Sequence, residues 1–344
     1  MRLYGRAWSR REIEARVGRL EQVGGVRRQQ WTEGPEAGVE HIQVRTGAGL
    51  AYTVLPSRGL DIGLAEFAGV PLCWLSANGE VHPAFFDAAG VEWLRTAVGG
   101  LLMTCGLTQV GAPCEDEGRA WGLHGRVHHL PARQVAAESA WVGDEVELRV
   151  SGVVEETAIF GEHLRLTREI RSLLGENRIA IRDQVENVGF APTPHMLLYH
   201  FNFGFPLLDT KTQVEFPSVR VTPREESTPL AGYDRWEAPQ ADYAERVYYH
   251  ELPADVEQVT VTLRNPRFPL PGRERPLTVR LSWSTRYLNR LVEWKMPGAG
   301  VHVLGIEPAN CHVGGRAVER QLGTLQYLQP GESRTYELSL EVEA

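Results

Sequence analysis

The chain has 344 residues, 42% of them hydrophobic and 23% charged, with a formal net charge of -8. That length can bury a large core, as one big β domain or two smaller units. The acidic balance speaks against a general nucleic-acid or membrane-surface binder, and no stretch approaches the roughly 20 apolar residues of a membrane span.

Near the start, Arg2, Arg6, Arg10 and Arg11 are followed by no apolar run, so no signal peptide is expected. Ser9 and Glu12 form a capping-box pair, and Ile13, Val17 and Leu20 share one face. This predicts a short N-terminal helix over about 9–23, ended by Gly24 and Gly25. Segments 39–44, 50–55 and 61–67 are short, rich in β-formers and separated by Gly or Pro, as strands are. Residues 82–96 predict no more than a short helix or 3₁₀ turn. Residues 145–154 alternate, and 163–173 with 178–185 read as a pair joined at Gly175-Glu176-Asn177. Residues 222–245 carry many prolines and charges and predict a long loop. Segments 259–263, 277–283, 291–294 and 301–306 continue the strand pattern. Leu322 to Leu328 reads as a strand, Gln329-Pro330-Gly331-Glu332 as a turn, and 335–342 as a last alternating strand. No repeat, low-complexity tract or composition shift divides the chain. The economical expectation is one all-β domain over 1–344, antiparallel, in two packed layers with the site on one concave face. Cys73, Cys105, Cys114 and Cys311 make no CxxC pair and no dense framework, which suits reduced thiols in the cytoplasm.

Chemistry concentrates in a few places. In Leu304-Gly305-Ile306-Glu307-Pro308-Ala309-Asn310 a carboxylate ends an apolar strand-like run. A dry setting raises a carboxylate's pKa and makes it a candidate base, and Asn310 is placed to hydrogen-bond it. In Tyr199-His200-Phe201-Asn202-Phe203, His200 and Asn202 share one face of an apolar, aromatic strand, where polar groups must be paired or serve a ligand. A hydrogen-bonded core histidine is the competing reading for His200. Arg58 and Asp61 flank Gly59 at a strand junction and suit either a ligand grip or a structural ion pair. In Gly122-Leu123-His124-Gly125-Arg126, glycines on both sides of His124 allow close ligand approach. His128 and His129 follow, but without a partner at metal-ligand spacing and without HExxH, so zinc is disfavoured. Lys295 is either an exposed strand-end residue or a positive charge near Glu307. No GxGxxG after a strand, P-loop or GxSxG is present, which removes the usual nucleotide and serine-hydrolase readings.

Several of these segments together resemble the aldose 1-epimerase (galactose mutarotase-like) superfamily, and in particular its DUF4432 branch. They are Leu55-Pro-Ser-Arg-Gly-Leu-Asp-Ile-Gly63, Gly100-Leu-Leu-Met-Thr-Cys-Gly-Leu107, Gly122-Leu-His-Gly-Arg126, Leu198-Tyr-His-Phe-Asn-Phe-Gly204, Leu304-Gly-Ile-Glu-Pro-Ala-Asn310 and the closing Leu328-Gln-Pro-Gly-Glu332. The resemblance implies an antiparallel β-supersandwich and a small-molecule sugar ligand. It implies Glu307 as general base and His200 as general acid of a cofactor-free, metal-free anomer interconversion. His124, Arg58, Asp61, Arg126, Asn202, Lys295 and Asn310 would bind the sugar; Trp74, Trp121 or Trp294 could stack on it, although ordinary aromatic content favours core packing for them. The usual acid motif reads Asn-His-x-Tyr-Phe-Asn, whereas Tyr199 precedes His200 here and Phe201-Asn202 follow it directly. Arg58, Arg126, Lys295 and Arg316 would suit an anionic sugar if they reach the pocket. Another sugar isomerisation on the same fold, or sugar binding without catalysis, are the alternatives. A monomer or a homodimer is expected.

Overall fold

The alternation that marks residues 145–154 continues in the computed structural model, which describes residues 1–344. Strand Glu145–Thr157 buries every second side chain, including Val146, Leu148, Val150 and Val154. Strand His163–Leu173 does the same with Leu164, Leu166, Arg168 and Ile170. These strands lie in an eight-stranded antiparallel sheet ordered Arg133–Val142, Glu145–Thr157, His163–Leu173, Arg178–Asn187, Ser333–Glu343, Arg273–Ser284, Gln258–Leu270, Gln213–Glu215. The second sheet runs Arg220–Pro223, Arg246–Glu251, Arg290–Gly298, Val301–Ala309, Met196–Gly204, Leu102–Leu107, Asp61–Phe67, Leu50–Leu55, Glu40–Arg45, Gly25–Gln30. A core of 54 buried residues fills the space between the layers. The architecture is the expected all-β, antiparallel sandwich of the galactose mutarotase type.

The central strand Met196–Gly204 is buried at all nine positions, so both of its faces are covered. Leu197, Tyr199, Phe201 and Phe203 point into the inter-sheet core. Met196 and Leu198 point the other way, into a separate cluster of 12 buried residues that includes Met103, Cys105, Val292 and Ala309. Strand periodicity therefore puts His200 on that second face, under the loops that cover it.

A charged clamp joins the layers. Arg168 Nη1 lies 2.8 Å from Asp61 Oδ1 and Nη2 lies 2.6 Å from Asp183 Oδ2, and all three side chains are fully buried. Tyr199 Oη donates to Asp183 at 2.7 Å. Asp61 also accepts from the Thr104 hydroxyl (2.5 Å) and backbone N–H (2.9 Å) and meets His128 Nδ1 at 2.6 Å.

Two expected elements differ. The capping box at Ser9 and Glu12 forms, but the helix covers only Arg10–Glu14, with a 3₁₀ turn at Leu20–Gln22. Gly18 interrupts the stripe, and glycine costs a helix about 1 kcal/mol relative to alanine. Val17 and Leu20 still reach the core, so packing needs no continuous helix. Leu322 to Leu328 is not a strand: a helix over Arg316–Gln321 continues into a turn, and only Tyr327–Leu328 pairs, with Thr193–Pro194. Leu322 is exposed rather than core-facing. The turn after it holds as read, with Glu332 N–H donating to Gln329 O at 2.9 Å. Residues 82–96 supply 3₁₀ turns at Pro83–Phe85 and Glu92–Arg95. All four cysteines are unpaired. No helix is long and apolar enough to cross a membrane.

Candidate active site

Five neighbouring strands, from Arg246–Glu251 to Leu102–Leu107, contribute to the floor of a cavity of about 380 Å³ on the outer face of the second sheet. Register sets Phe201 against Ile306 and Leu198 against Ala309. That alignment brings His200 and Glu307 side by side, with Nε2 3.1 Å from Oε1. Both are buried, and both line the cavity. Gly305 makes the contact sterically possible. A Cβ there would fall 2.6 Å from Glu307 Oε1 and 3.1 Å from His200 Cε1. Gly305→Ala is expected to keep the fold yet lower turnover at least tenfold, since small misplacement of reacting groups is costly. Activity and melting temperature measured on one preparation check this; unchanged turnover contradicts it.

Burial governs the protonation of the pair. Removal from water, with Glu245 adding to it and Arg224 opposing, raises Glu307 to about 8. Burial, together with the nearby His124 ring, lowers His200 to about 3. At neutral pH the two side chains therefore hold one proton between them, on the carboxyl. His200 Nδ1 and Asn202 Oδ1 are both buried without a partner of good geometry. The Asn202 amide nitrogen donates to Gly100 O (3.1 Å) and His200 O (2.9 Å), which fixes the amide and leaves its carbonyl oxygen free. The Asn202 side chain accordingly favours the protonated ring. A proton on Nδ1 leaves the Nε2 lone pair facing Glu307.

His124 sits at φ 56° between glycines. Its backbone N–H donates to Gly111 O at 3.0 Å, and its Nδ1 accepts from Gly111 N–H at 3.4 Å. Nε2 therefore carries the ring proton, and burial keeps the ring neutral, with its pKa lowered to about 4. His124 is a fixed, uncharged donor 6.0 Å, ring to ring, from His200.

Tryptophans form much of the wall. Trp294 stands edge-on to Trp74 (6.3 Å between centroids) and to His200 (5.5 Å). Its indole N–H donates to Glu245 Oε2 at 2.9 Å, and Glu245 in turn meets Arg224 at 3.4 Å. Trp93 closes another side, 5.1 Å from the His124 ring. Arg224, Glu245 and Trp93 carry no motif. Arg224 and Glu245 stand near the two ends of the 222–245 connection, and only pairing of the strands that flank it brings them together.

Of the residues singled out in the sequence, Glu307, His200 and His124 meet in this cavity, with Trp74 and Trp294. The other proposed sugar contacts lie elsewhere. Arg58 is fully buried and donates to Val81 O and Thr96 O. Asp61 is committed to the inter-sheet clamp. Arg126 lines a different, polar cavity with Arg133, Glu155 and His163. Asn202 donates to backbone, at Gly100 O and His200 O. Lys295 points to the inter-sheet side, where Nζ donates to Gly232 O (2.6 Å), Arg235 O (2.7 Å) and Glu237 (3.1 Å). Asn310 tethers backbone, accepting from Leu197 N–H and donating to His195 O. Arg316 is bound to Asp116, and Trp121 packs against Arg119 and Arg316. Arg58, Asp61, Asn202, Lys295, Asn310 and Arg316, which looked like ligand groups, are satisfying buried backbone groups or charges. No three His, Cys, Asp or Glu side chains group as a metal-ligand set, and His128 and His129 serve Asp61 and Thr96.

Comparison with known proteins agrees with this architecture. A crystal structure from Klebsiella pneumoniae subsp. pneumoniae MGH 78578, provisionally described as an aldose 1-epimerase, superposes with a TM-score of 0.82 at 25% identity, covering 92% of this chain and 83% of that one. A galactose 1-epimerase from Lactobacillus acidophilus NCFM matches in fold at a TM-score of 0.57 and 13% identity, over 93% of this chain and 99% of that one. A galactose mutarotase-like protein from Clostridium acetobutylicum gives 0.55 at 14%, over 94% and 99%. No curated protein matches the sequence. The model of the domain of unknown function DUF4432 matches residues 36–342. With nearly the whole chain matched and the fold shared, the protein belongs to the DUF4432 family, within the galactose mutarotase-like superfamily.

Proposed function

We propose that the protein is an aldose 1-epimerase-type isomerase that interconverts the anomers of a sugar, with Glu307 and His200 as its acid–base pair. The observation that carries this reading is the buried 3.1 Å contact between His200 Nε2 and Glu307 Oε1 on the cavity floor. Ring opening needs one proton removed from the anomeric hydroxyl and one delivered to the ring oxygen, two atoms bonded to the same carbon. Two adjacent groups that share one proton suit that exchange.

In the forward direction Glu307 takes the anomeric proton while His200, protonated in the complex, delivers a proton to the ring oxygen. The C1–O5 bond breaks, rotation about C1–C2 exposes the other face of the carbonyl, and closure returns both protons with roles reversed. For this, the shared proton moves from carboxyl to imidazole when the sugar's hydroxyls replace the dry contact. Asn202 supports the imidazolium through Nδ1. The Nε2–H of His124 is positioned as a neutral donor to a sugar oxygen, and the indoles of Trp74 and Trp294 offer faces for its C–H surface.

The pH–rate profile follows from the site. One proton must remain on the pair, so activity falls as pH rises through about 8, where Glu307 loses it. The acid-side fall begins only as pH approaches about 3, where His200 gains a second. Glu245→Gln removes a charge that raises Glu307 and is expected to move the alkaline limb to lower pH. Anomer exchange followed by NMR from pH 4 to 9.5 tests this. A rate flat through pH 9 argues against the pair.

A further inference from the structure

The inventory of charges and hydrogen bonds in the cavity bears on the substrate, taking the sugar-site reading as given. Arg224 is the single Lys or Arg among the lining residues. Its guanidinium is already held by Glu225 at 3.0 Å and Glu245 at 3.4 Å. Glu307 adds a further carboxyl. An anionic group would enter beside these carboxylates with no uncommitted cation to meet it.

The polar side chains are also largely spent. Ser76 Oγ donates to Ala97 O at 2.6 Å, and the Asn78 amide donates to Leu94 O and Ala97 O at 2.8 and 2.9 Å. Free hydrogen-bonding capacity is left at His124, at the His200–Glu307 pair, at the Arg224–Glu245 rim and at the Asn78 carbonyl oxygen. The wall around the Glu92–Arg95 turn offers Val91, Trp93, Leu94 and Ala97. The one polar side-chain atom among these residues, Trp93 Nε1, is sealed from solvent. Val91 and Leu94 line the cavity yet stand 53% and 57% exposed, apolar surface that a ligand would cover.

We propose that the cavity takes an uncharged aldose deoxygenated away from its anomeric carbon, a 6-deoxyhexose in preference to the parent hexose or its uronic acid. The anomeric end needs the floor, where the polar groups are. The far end of the ring then meets the aliphatic and aromatic wall. A methyl group there gains burial, whereas a hydroxymethyl places an oxygen against Val91, Leu94 and Ala97, whose side chains offer it no hydrogen bond. An apolar pocket discriminates against an added hydroxyl by about 10- to 100-fold.

Two matched series test this: 6-deoxygalactose, galactose and galacturonate; 6-deoxyglucose, glucose and glucuronate. Binding is read by quenching of tryptophan fluorescence, and anomer exchange by NMR on the same samples. The expected result in at least one series is a Kd about tenfold or more lower for the deoxy sugar than for its parent, with the uronate weakest. Leu94→Asn, which gives the exposed wall a hydrogen-bonding group, is expected to narrow that ratio to about threefold or less. Equal or tighter binding of the parent hexose or uronate overturns the proposal, as does failure of every one of these sugars to bind. Deoxy-selective binding without faster exchange would uphold the specificity and remove the epimerase reading. Faster exchange without deoxy preference would do the reverse.

Discussion

Glu307→Gln and His200→Asn are each expected to lower catalysed anomer exchange by about 10²- to 10⁴-fold, the usual contribution of a positioned acid or base. The double variant is expected to lose little more than the worse single one, because the two groups act on one shared proton. Loss of fold would not account for the Glu307→Gln effect. Burial raises Glu307 from 4.5 to about 8, so the folded state binds more protons than the unfolded state between those values. The stability of the parent protein therefore declines as pH rises across that window. The glutamine variant has no such term, and is expected to gain up to about 5 kcal/mol relative to the parent at pH 8, and little at pH 4. Thermal or urea denaturation at both values measures this. A variant slower in catalysis but harder to unfold at pH 8 would mark Glu307 as a residue kept for chemistry at a cost in stability. An equal difference at both pH values would show that the carboxyl is not held protonated by burial.

Arg168→Met is expected to destabilise the protein by about 3–5 kcal/mol at pH 7, the range for a buried ion pair stripped of one partner. Arg168 reaches from one sheet to Asp61 on the other while holding Asp183 on its own, and none of the three touches solvent. Without the guanidinium, two buried carboxylates face only hydroxyls, the Thr104 backbone N–H and the His128 ring. Burial already raises the Asp61 carboxyl against the pull of Arg168, so without the guanidinium Asp61 would take up a proton, and the loss is expected to be smaller at pH 5 than at pH 7. Urea unfolding at both pH values checks the size and the trend. A shift below about 1 kcal/mol would show that the clamp does not carry the load ascribed to it.

Most of the fold was legible in the chain because half-buried strands alternate visibly. Strand His163–Leu173 was read to the residue, and the turn at Gln329-Pro330-Gly331-Glu332 holds. The helix at Arg316–Gln321 was not read, since it is short and opens at Gly315 without a side-chain cap. The site was legible where a strand placed a polar residue among apolar ones, as with His200 and Glu307, and where glycines flanked a histidine, as with His124. It was not legible where polarity served the framework. Arg58, Asp61, Lys295 and Asn310 have the same local appearance as ligand groups, and only the long-range contacts separate the two uses. Arg224 and Glu245 show the reverse: ordinary charges in a loop, brought to the rim of the cavity by strand pairing between residues far apart.

The most direct test dissolves a pure anomer of each uncharged aldose that binds and follows its approach to equilibrium by NMR at pH 7. The expected rate rises linearly with protein concentration, the final mixture contains the two anomers and no new sugar, and Glu307→Gln returns the rate nearly to that of buffer. Relaxation at the buffer rate for every sugar that binds, at every protein concentration, would contradict the assignment of Glu307 and His200 as an acid–base pair for anomer exchange.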